Sequence, residues 1–73
     1  MEKILIRWLE SYTGSSVIPS TTFEDLKFDI FDEAMTVDFV QKQFCKNVNT
    51  SNQWFTTVED LLNAITASPW LHV

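Results

Sequence analysis

Three stretches of the chain carry apolar residues at the three- and four-residue steps of an amphipathic helix. The first covers residues 2–12 and ends before Gly14, a residue type that readily adopts the left-handed conformation of a helix C-terminus. The second covers residues 31–44, and the third begins after Thr57 and ends before Pro69. Their apolar positions are Ile4, Leu5, Trp8, Leu9 and Tyr12; Phe31, Ala34, Val37, Val40 and Phe44; and Val58, Leu61, Leu62 and Ile65.

Two polar pairs have the spacing of a capping box, in which a hydroxyl residue and an acidic residue three positions later satisfy each other's backbone N–H groups. Thr21 and Glu24 form the first pair and predict a short helical turn over residues 22–26. Thr57 and Asp60 form the second pair and predict the start of the last helix.

These elements predict one all-α domain over residues 1–73, a four-helix bundle of three longer helices and a short one near residues 50–56. In the first loop, Val17 and Ile18 are expected to contact the core, whereas the position of the apolar tail, residues 70–73, stays open.

A domain this small buries only about 60% of the surface that its unfolded chain exposes. Its core must therefore be rich in large side chains. The expected core residues are Leu5, Trp8, Leu9, Phe28, Val37, Val40, Phe44, Val48, Phe55, Val58, Leu61, Leu62 and Ile65.

The charge of the chain favours a protein partner over a nucleic acid. Ten acidic residues oppose five basic ones, for a formal net charge of -5. The basic residues are scattered singly, whereas a nucleic-acid-binding chain groups them in a patch or stripe. No apolar run approaches the roughly 20 residues of a membrane span. We therefore expect a cytoplasmic monomer that binds protein and neither nucleic acid nor membrane.

The residue types that support catalysis or metal binding form no recognisable group. The single histidine, His72, has no neighbouring residues suited to orienting it, and the single glycine excludes a glycine-rich phosphate loop. The single cysteine, Cys45, excludes an internal disulfide and is expected to be a small, partly buried apolar residue. Asp29, Asp32 and Glu33 lack the turn glycine of a calcium loop and are interpreted as the acidic start of a helix. We expect neither an enzyme nor a metal protein.

The order of the predicted elements resembles the acyl carrier protein family, over roughly residues 20–66. The family's signature is Asp-Ser-Leu at the start of the second major helix, followed by an acidic residue. Asp29 matches the aspartate, Phe31 the leucine and Asp32 the acidic residue. Val37, Val40 and Phe44 fall on the family's core positions, and the run Phe55-Thr56-Thr57-Val58 is similar to the opening of its last helix.

The chain departs from the family at the position that carries its chemistry. Ile30 stands where the family has the serine that bears the 4′-phosphopantetheine arm, and isoleucine has no oxygen to phosphorylate. The resemblance therefore implies the family's fold without its cofactor, and we expect no cofactor at all. Met35, Gln41 and Lys42 also replace acidic residues through which the family contacts basic patches on its enzymes.

Three hypotheses follow. The first is a carrier-like, non-catalytic interaction module of an acyl-transfer, fatty-acid or secondary-metabolite pathway. The second is a genuine acyl or peptidyl carrier whose serine is replaced by Ile30, and the third is an unrelated small helical adaptor. In the first, a protein partner such as an acyl-transfer or synthase enzyme is expected to dock on Asp29, Ile30, Asp32, Glu33 and Met35. Ile30 is then either an apolar anchor with a charged rim or a residue that packs against the preceding loop.

Overall fold

The computed structural model describes residues 1–48 and 54–68, and every regular element in these ranges is an α-helix. Helix α1 spans Glu2–Thr13, α2 spans Ile30–Phe44 and α3 spans Val58–Ala67. No strand occurs in the described ranges, where an isolated antiparallel bridge joins Thr22 to Thr57. The all-α prediction is therefore confirmed at the level of three helices.

The expected short fourth helix is not confirmed. Residues 54–56, its last part, are not helical, and residues 49–53 lie outside the described ranges. The C-terminal tail and His72 lie outside them as well. The carrier-type four-helix arrangement thus stays a prediction, while its three longer helices are found close to their expected bounds.

Helices α1 and α2 both end at a residue with left-handed backbone. Gly14 has a φ of 73°, and its N–H donates to the carbonyl of Glu10 at 2.8 Å. Cys45 has a φ of 55°, and its N–H donates to the carbonyl of Gln41 at 3.1 Å. The Cys45 side chain is exposed at this turn, so the expectation of a partly buried cysteine is wrong. The sequence does not predict this turn at Cys45, because a left-handed residue other than glycine is uncommon at a helix end.

The core forms where the three helices meet the loop between α1 and α2. Its buried apolar residues are Leu5, Leu9, Val17, Phe23, Val40, Val48, Val58, Leu61, Leu62 and Ile65. Four expected core residues, Trp8, Phe28, Phe44 and Phe55, are partly buried and pack against this cluster, and Val37 is likewise only partly buried. Within the loop, Val17 is buried as expected, whereas Ile18 is 59% exposed and is not part of the core.

Phe23 is 3% exposed and belongs to the core, although the helical periodicity did not select it. Its N–H donates to the carbonyl of Thr56 at 3.0 Å, which ties the loop to the start of α3.

The short helix predicted over residues 22–26 is a turn, and its capping residue is Thr22 instead of Thr21. The Thr22 hydroxyl accepts from the N–H of Asp25 at 3.1 Å, while the Thr21 hydroxyl accepts from the N–H of Ile18 at 2.9 Å.

Aromatic rings join the helices at the edge of the core. The Trp8 ring of α1 stacks on the Phe39 ring of α2, with centroids 4.6 Å apart, and on the Tyr12 ring, 5.0 Å away. A second group contains Phe23, Phe28 and Trp54, whose centroids lie 4.9 to 6.5 Å apart. Offset and edge contacts of this kind stabilise beyond the area they bury, so they help a domain with a small core.

Phe23 and Phe31 form a matched pair for testing this core, because they are the same residue type at opposite extremes of exposure, 3% and 76%. Phe23→Ala removes a buried ring and leaves a cavity, which we expect to cost about 3–5 kcal/mol in free energy of unfolding. Phe31→Ala should change it by less than about 0.5 kcal/mol, since that ring lies in water. Urea denaturation followed by far-UV circular dichroism measures both. Equal losses for the two variants would contradict the packing described.

Candidate functional site

Helix α2 begins with a capping box built from two aspartates. The Asp29 carboxylate accepts from the N–H of Asp32 at 3.0 Å, and the Asp32 carboxylate accepts from the N–H of Asp29 at 2.9 Å. Because these bonds satisfy two N–H groups that a helix start leaves open, α2 begins at Ile30, one residue earlier than its apolar periodicity indicates. The interpretation of the acidic residues as a helix start is confirmed.

Asp32 also connects this helix start to the end of α1. The Tyr12 hydroxyl donates to the other oxygen of the Asp32 carboxylate, Oδ1, at 2.6 Å. The pKa of Asp32 lies below its ordinary value because it accepts this hydrogen bond and those from Asp29. The pKa of Tyr12 is raised, first because its hydroxyl donates a hydrogen bond to Asp32 and further because the hydroxyl is partly desolvated. Asp32 is thus turned toward α1 and positions the helix, while Asp29, Ile30 and Met35 are exposed.

Three large apolar side chains stand exposed on the first two turns of α2. Ile30 is 75% exposed, Phe31 76% and Met35 51%. The interpretation in which Ile30 packs against the preceding loop is therefore wrong. Asp29 is exposed beside these side chains, and Glu33 is half-buried one turn along. We call Asp29, Ile30, Phe31, Glu33 and Met35 the acidic surface.

A shallow groove crosses the acidic surface. Ile30, Glu33, Ala34 and Val37 line it, and it encloses about 400 Å³. Residues three and four apart lie on the same side of a helix, so these four form one stripe with a single carboxylate among apolar side chains. The arrangement suits an apolar side chain of another molecule, with Glu33 available to a donor at the margin.

The acidic surface offers little to covalent chemistry. The hydroxyl of α2, Thr36, is fully buried and donates to the carbonyl of Asp32 at 2.8 Å. Asp29 and Asp32 are occupied by each other's backbone. Over residues 1–48 and 54–68, no group of three or more His, Cys, Asp or Glu side chains is placed to hold a metal ion. What the site presents to a ligand is apolar area and negative charge.

Of the five residues predicted to bind a partner, Ile30 and Glu33 line one groove. Asp29 and Met35 are exposed nearby but do not line that groove, and Asp32 lies against α1. Sequence reasoning did not name Phe31 as a surface residue: this residue stands in the same apolar series as Val37 and Val40, although it is not among the expected core residues. Sequence reasoning also missed Tyr12 as the partner of Asp32, since no spacing rule relates residues 20 apart on different helices.

Comparison with known proteins gives no assignment: no family model matches the chain, and neither a curated protein nor a solved structure does. Among the described residues, no helix is long and apolar enough to span a membrane.

The Tyr12–Asp32 hydrogen bond gives the stability of the protein a defined dependence on pH. A lowered Asp32 pKa stabilises the fold above the ordinary carboxyl value of 3.8, and this contribution is lost as the pH falls through the lowered pKa. The raised Tyr12 pKa stabilises below the ordinary phenol value of 10.0 and is lost as the pH rises through the raised pKa.

Tyr12→Phe keeps the ring that stacks on Trp8 but removes the hydroxyl. We expect the Asp32 pKa to rise toward its ordinary value, as measured by a ¹³C NMR titration of the carboxyl group. The variant should be less stable than the wild type at neutral pH, and the difference should disappear below the Asp32 pKa. Asp32→Asn serves as the control, because Tyr12→Phe should matter less in that background. An unchanged Asp32 titration would contradict this role for Tyr12.

Proposed function

We propose that this chain is a carrier-like, non-catalytic interaction module whose acidic surface docks a protein partner, an acyl-transfer or synthase enzyme. The observation that carries the proposal is the exposure of Ile30, Phe31 and Met35 together on the first two turns of α2. Soluble domains rarely leave several large apolar side chains side by side in water unless another molecule covers them.

The chemistry of the acidic surface fits a specific interface. Buried apolar anchors supply most of the affinity of an interface, while charges at its rim steer the approach of the partner and select its sign. Here Ile30 and Phe31 are the anchors, and Asp29 and Glu33 are the rim. A basic patch around an apolar pocket is the complementary surface, and such patches are what the enzymes of the acyl carrier family present to their carriers.

The carrier-like part of the proposal depends on the resemblance and on the position of Ile30. Ile30 is the first residue of α2, directly after the capping Asp29, and its side chain faces water. In the family the prosthetic arm leaves the protein at this place. With isoleucine there, we propose that the side chain itself enters the partner and that no arm is attached.

A mass measurement tests the absence of the arm. Incubation of the wild-type chain with a phosphopantetheinyl transferase and coenzyme A should leave its intact mass unchanged, because no hydroxyl is available at position 30. A mass gain of one arm would overturn this part of the proposal. The Ile30→Ser variant tests the second candidate, a carrier with a replaced serine, which the exposure of position 30 favours. Arm transfer to this variant would support a carrier ancestry, and no transfer would favour an unrelated adaptor.

Photo-crosslinking tests the docking surface. A benzoylphenylalanine at position 31 should crosslink an acyl-transfer or synthase enzyme in cells, whereas the same residue at position 18 should not. Positions 31 and 18 are both strongly exposed, so they differ in surroundings and not in accessibility. A partner of another class would favour the adaptor hypothesis, and equal crosslinking from the two positions would contradict a specific surface.

Ile30→Asp should weaken the crosslink from position 31, because it places a charge where the partner offers an apolar pocket, with a loss of about 1 kcal/mol or more in binding. The variant should remain folded within about 0.5 kcal/mol, since Ile30 is exposed and an aspartate is favourable in the first turn of a helix. Ile18→Asp is the matched control and should leave the crosslink intact. If Ile30→Asp unfolds the protein while binding persists in its folded fraction, the docking surface lies elsewhere.

A further inference from the structure

A second groove lies between α1 and α2, on the other side of α2 from Ile30. Phe39 stands nine residues after Ile30, about two and a half turns of an α-helix, so the two residues lie on opposite sides of α2. The groove encloses about 470 Å³ and has the stacked rings of Trp8 and Phe39 in its wall. We call its lining residues, Lys3, Ile4, Arg7, Trp8, Ser11 and Phe39, the basic groove.

The basic groove carries positive charge on a protein that is negative overall. Lys3 and Arg7 are four residues apart on α1, so they lie on the same side of the helix. Like charges at this spacing repel each other, and over the described residues neither is engaged in an ion pair. By contrast, Lys42 pairs with Asp38 at 3.1 Å, and the Lys46 ammonium is buried and donates to the carbonyl of Ser68.

The apolar part of the basic groove is open to a ligand. The Ile4 side chain is exposed, and the aromatic pair beside it is only partly buried. A groove between two helices with apolar walls is the usual receptor for an amphipathic helix, which inserts apolar residues spaced three and four apart. Two cations at its margin select carboxylates on the flanks of that helix. A polyanion such as a nucleic acid is disfavoured, because the chain as a whole has a net charge of -5.

We propose that the basic groove is a second docking site, which binds an acidic amphipathic helix of a partner protein between Lys3 and Arg7 on one side and Trp8 and Phe39 on the other. The charge complementarity of the groove argues for this occupant. The competing occupant is a second copy of the chain, since its own acidic surface has similar chemistry.

The probe is a fluorescein-labelled synthetic helical peptide with Leu at positions i, i+3, i+4 and i+7 and Glu between them, and its matched control has Lys in place of each Glu. Fluorescence anisotropy with the full chain should show binding of the Glu peptide that weakens as salt is added. The Lys peptide should bind at least about tenfold more weakly, because it meets Lys3 and Arg7 with like charge. Equal binding of the two peptides would overturn the proposal.

The variant Lys3→Glu/Arg7→Glu should weaken binding of the Glu peptide by about tenfold or more. Lys27→Glu/Lys42→Glu changes the net charge identically at exposed positions outside the groove and should change binding by less than about twofold. Circular dichroism verifies that both variants remain folded. Equal weakening by the two pairs would mean that only the overall charge matters, and the proposal would fail.

Two further variants separate this site from its alternatives. Ile4→Asp should also weaken binding by about tenfold, whereas Ile30→Asp should not, because Ile30 lies outside the basic groove. The proposal thus fails or holds independently of the acidic surface. Sedimentation of the chain alone should show a monomer. A dimer that Lys3→Glu/Arg7→Glu dissociates would assign the groove to a second copy and overturn the proposal.

Discussion

The N-terminus of α3 holds the loop that precedes α2 in place, because N–H groups at this helix end donate hydrogen bonds to carbonyls of the loop. A helix start leaves its first N–H groups without partners inside the helix. Those of Val58 and Glu59 donate to the carbonyls of Thr21 at 3.0 Å and Pro19 at 2.8 Å. The Thr57 hydroxyl accepts from the next one, and the loop is thereby fixed against α3 with Phe23 inserted into the core. A small domain gains from this arrangement, since one loop closes a helix end and also adds a large ring to the core.

The same loop determines where α2 begins and how firmly it is held. The loop delivers Asp29 to the point where it caps α2, and the Tyr12 hydroxyl of α1 binds the second aspartate of the box. The start of α2 is thus fastened both to the loop and to α1. Ile30 and Phe31 are exposed on a turn that is already ordered. An ordered surface loses little conformational entropy when a partner binds. The order of this turn therefore supports the proposal that Ile30 and Phe31 belong to a docking surface.

Local chemistry in the sequence predicts two helix ends correctly and places the cap of the loop turn at Thr21 instead of Thr22, and it does not identify the buried face of α2. The Thr57–Asp60 box and the Gly14 stop are found as predicted, because each involves neighbours in the chain. Phe23 and Phe31 are indistinguishable in type, and the apolar residues of α2 extend round most of its circumference. No periodicity can choose the buried face of such a helix. The choice follows from contacts distant in sequence, and these place Phe31 in water and Phe23 in the core.

The two surfaces proposed as docking sites differ in sign and share no residue. The acidic surface offers apolar side chains that protrude among carboxylates, whereas the basic groove offers an apolar recess beside Lys3 and Arg7. Each surface would repel the partner suited to the other, because like charges across an interface are unfavourable. Both surfaces can include residues of α2, because only a small part of the circumference of this helix faces the core. That part includes the fully buried Thr36 and Val40. The apolar residues of α2 that the core does not bury therefore contribute to both proposed docking sites, Ile30 and Phe31 to the acidic surface and Phe39 to the basic groove.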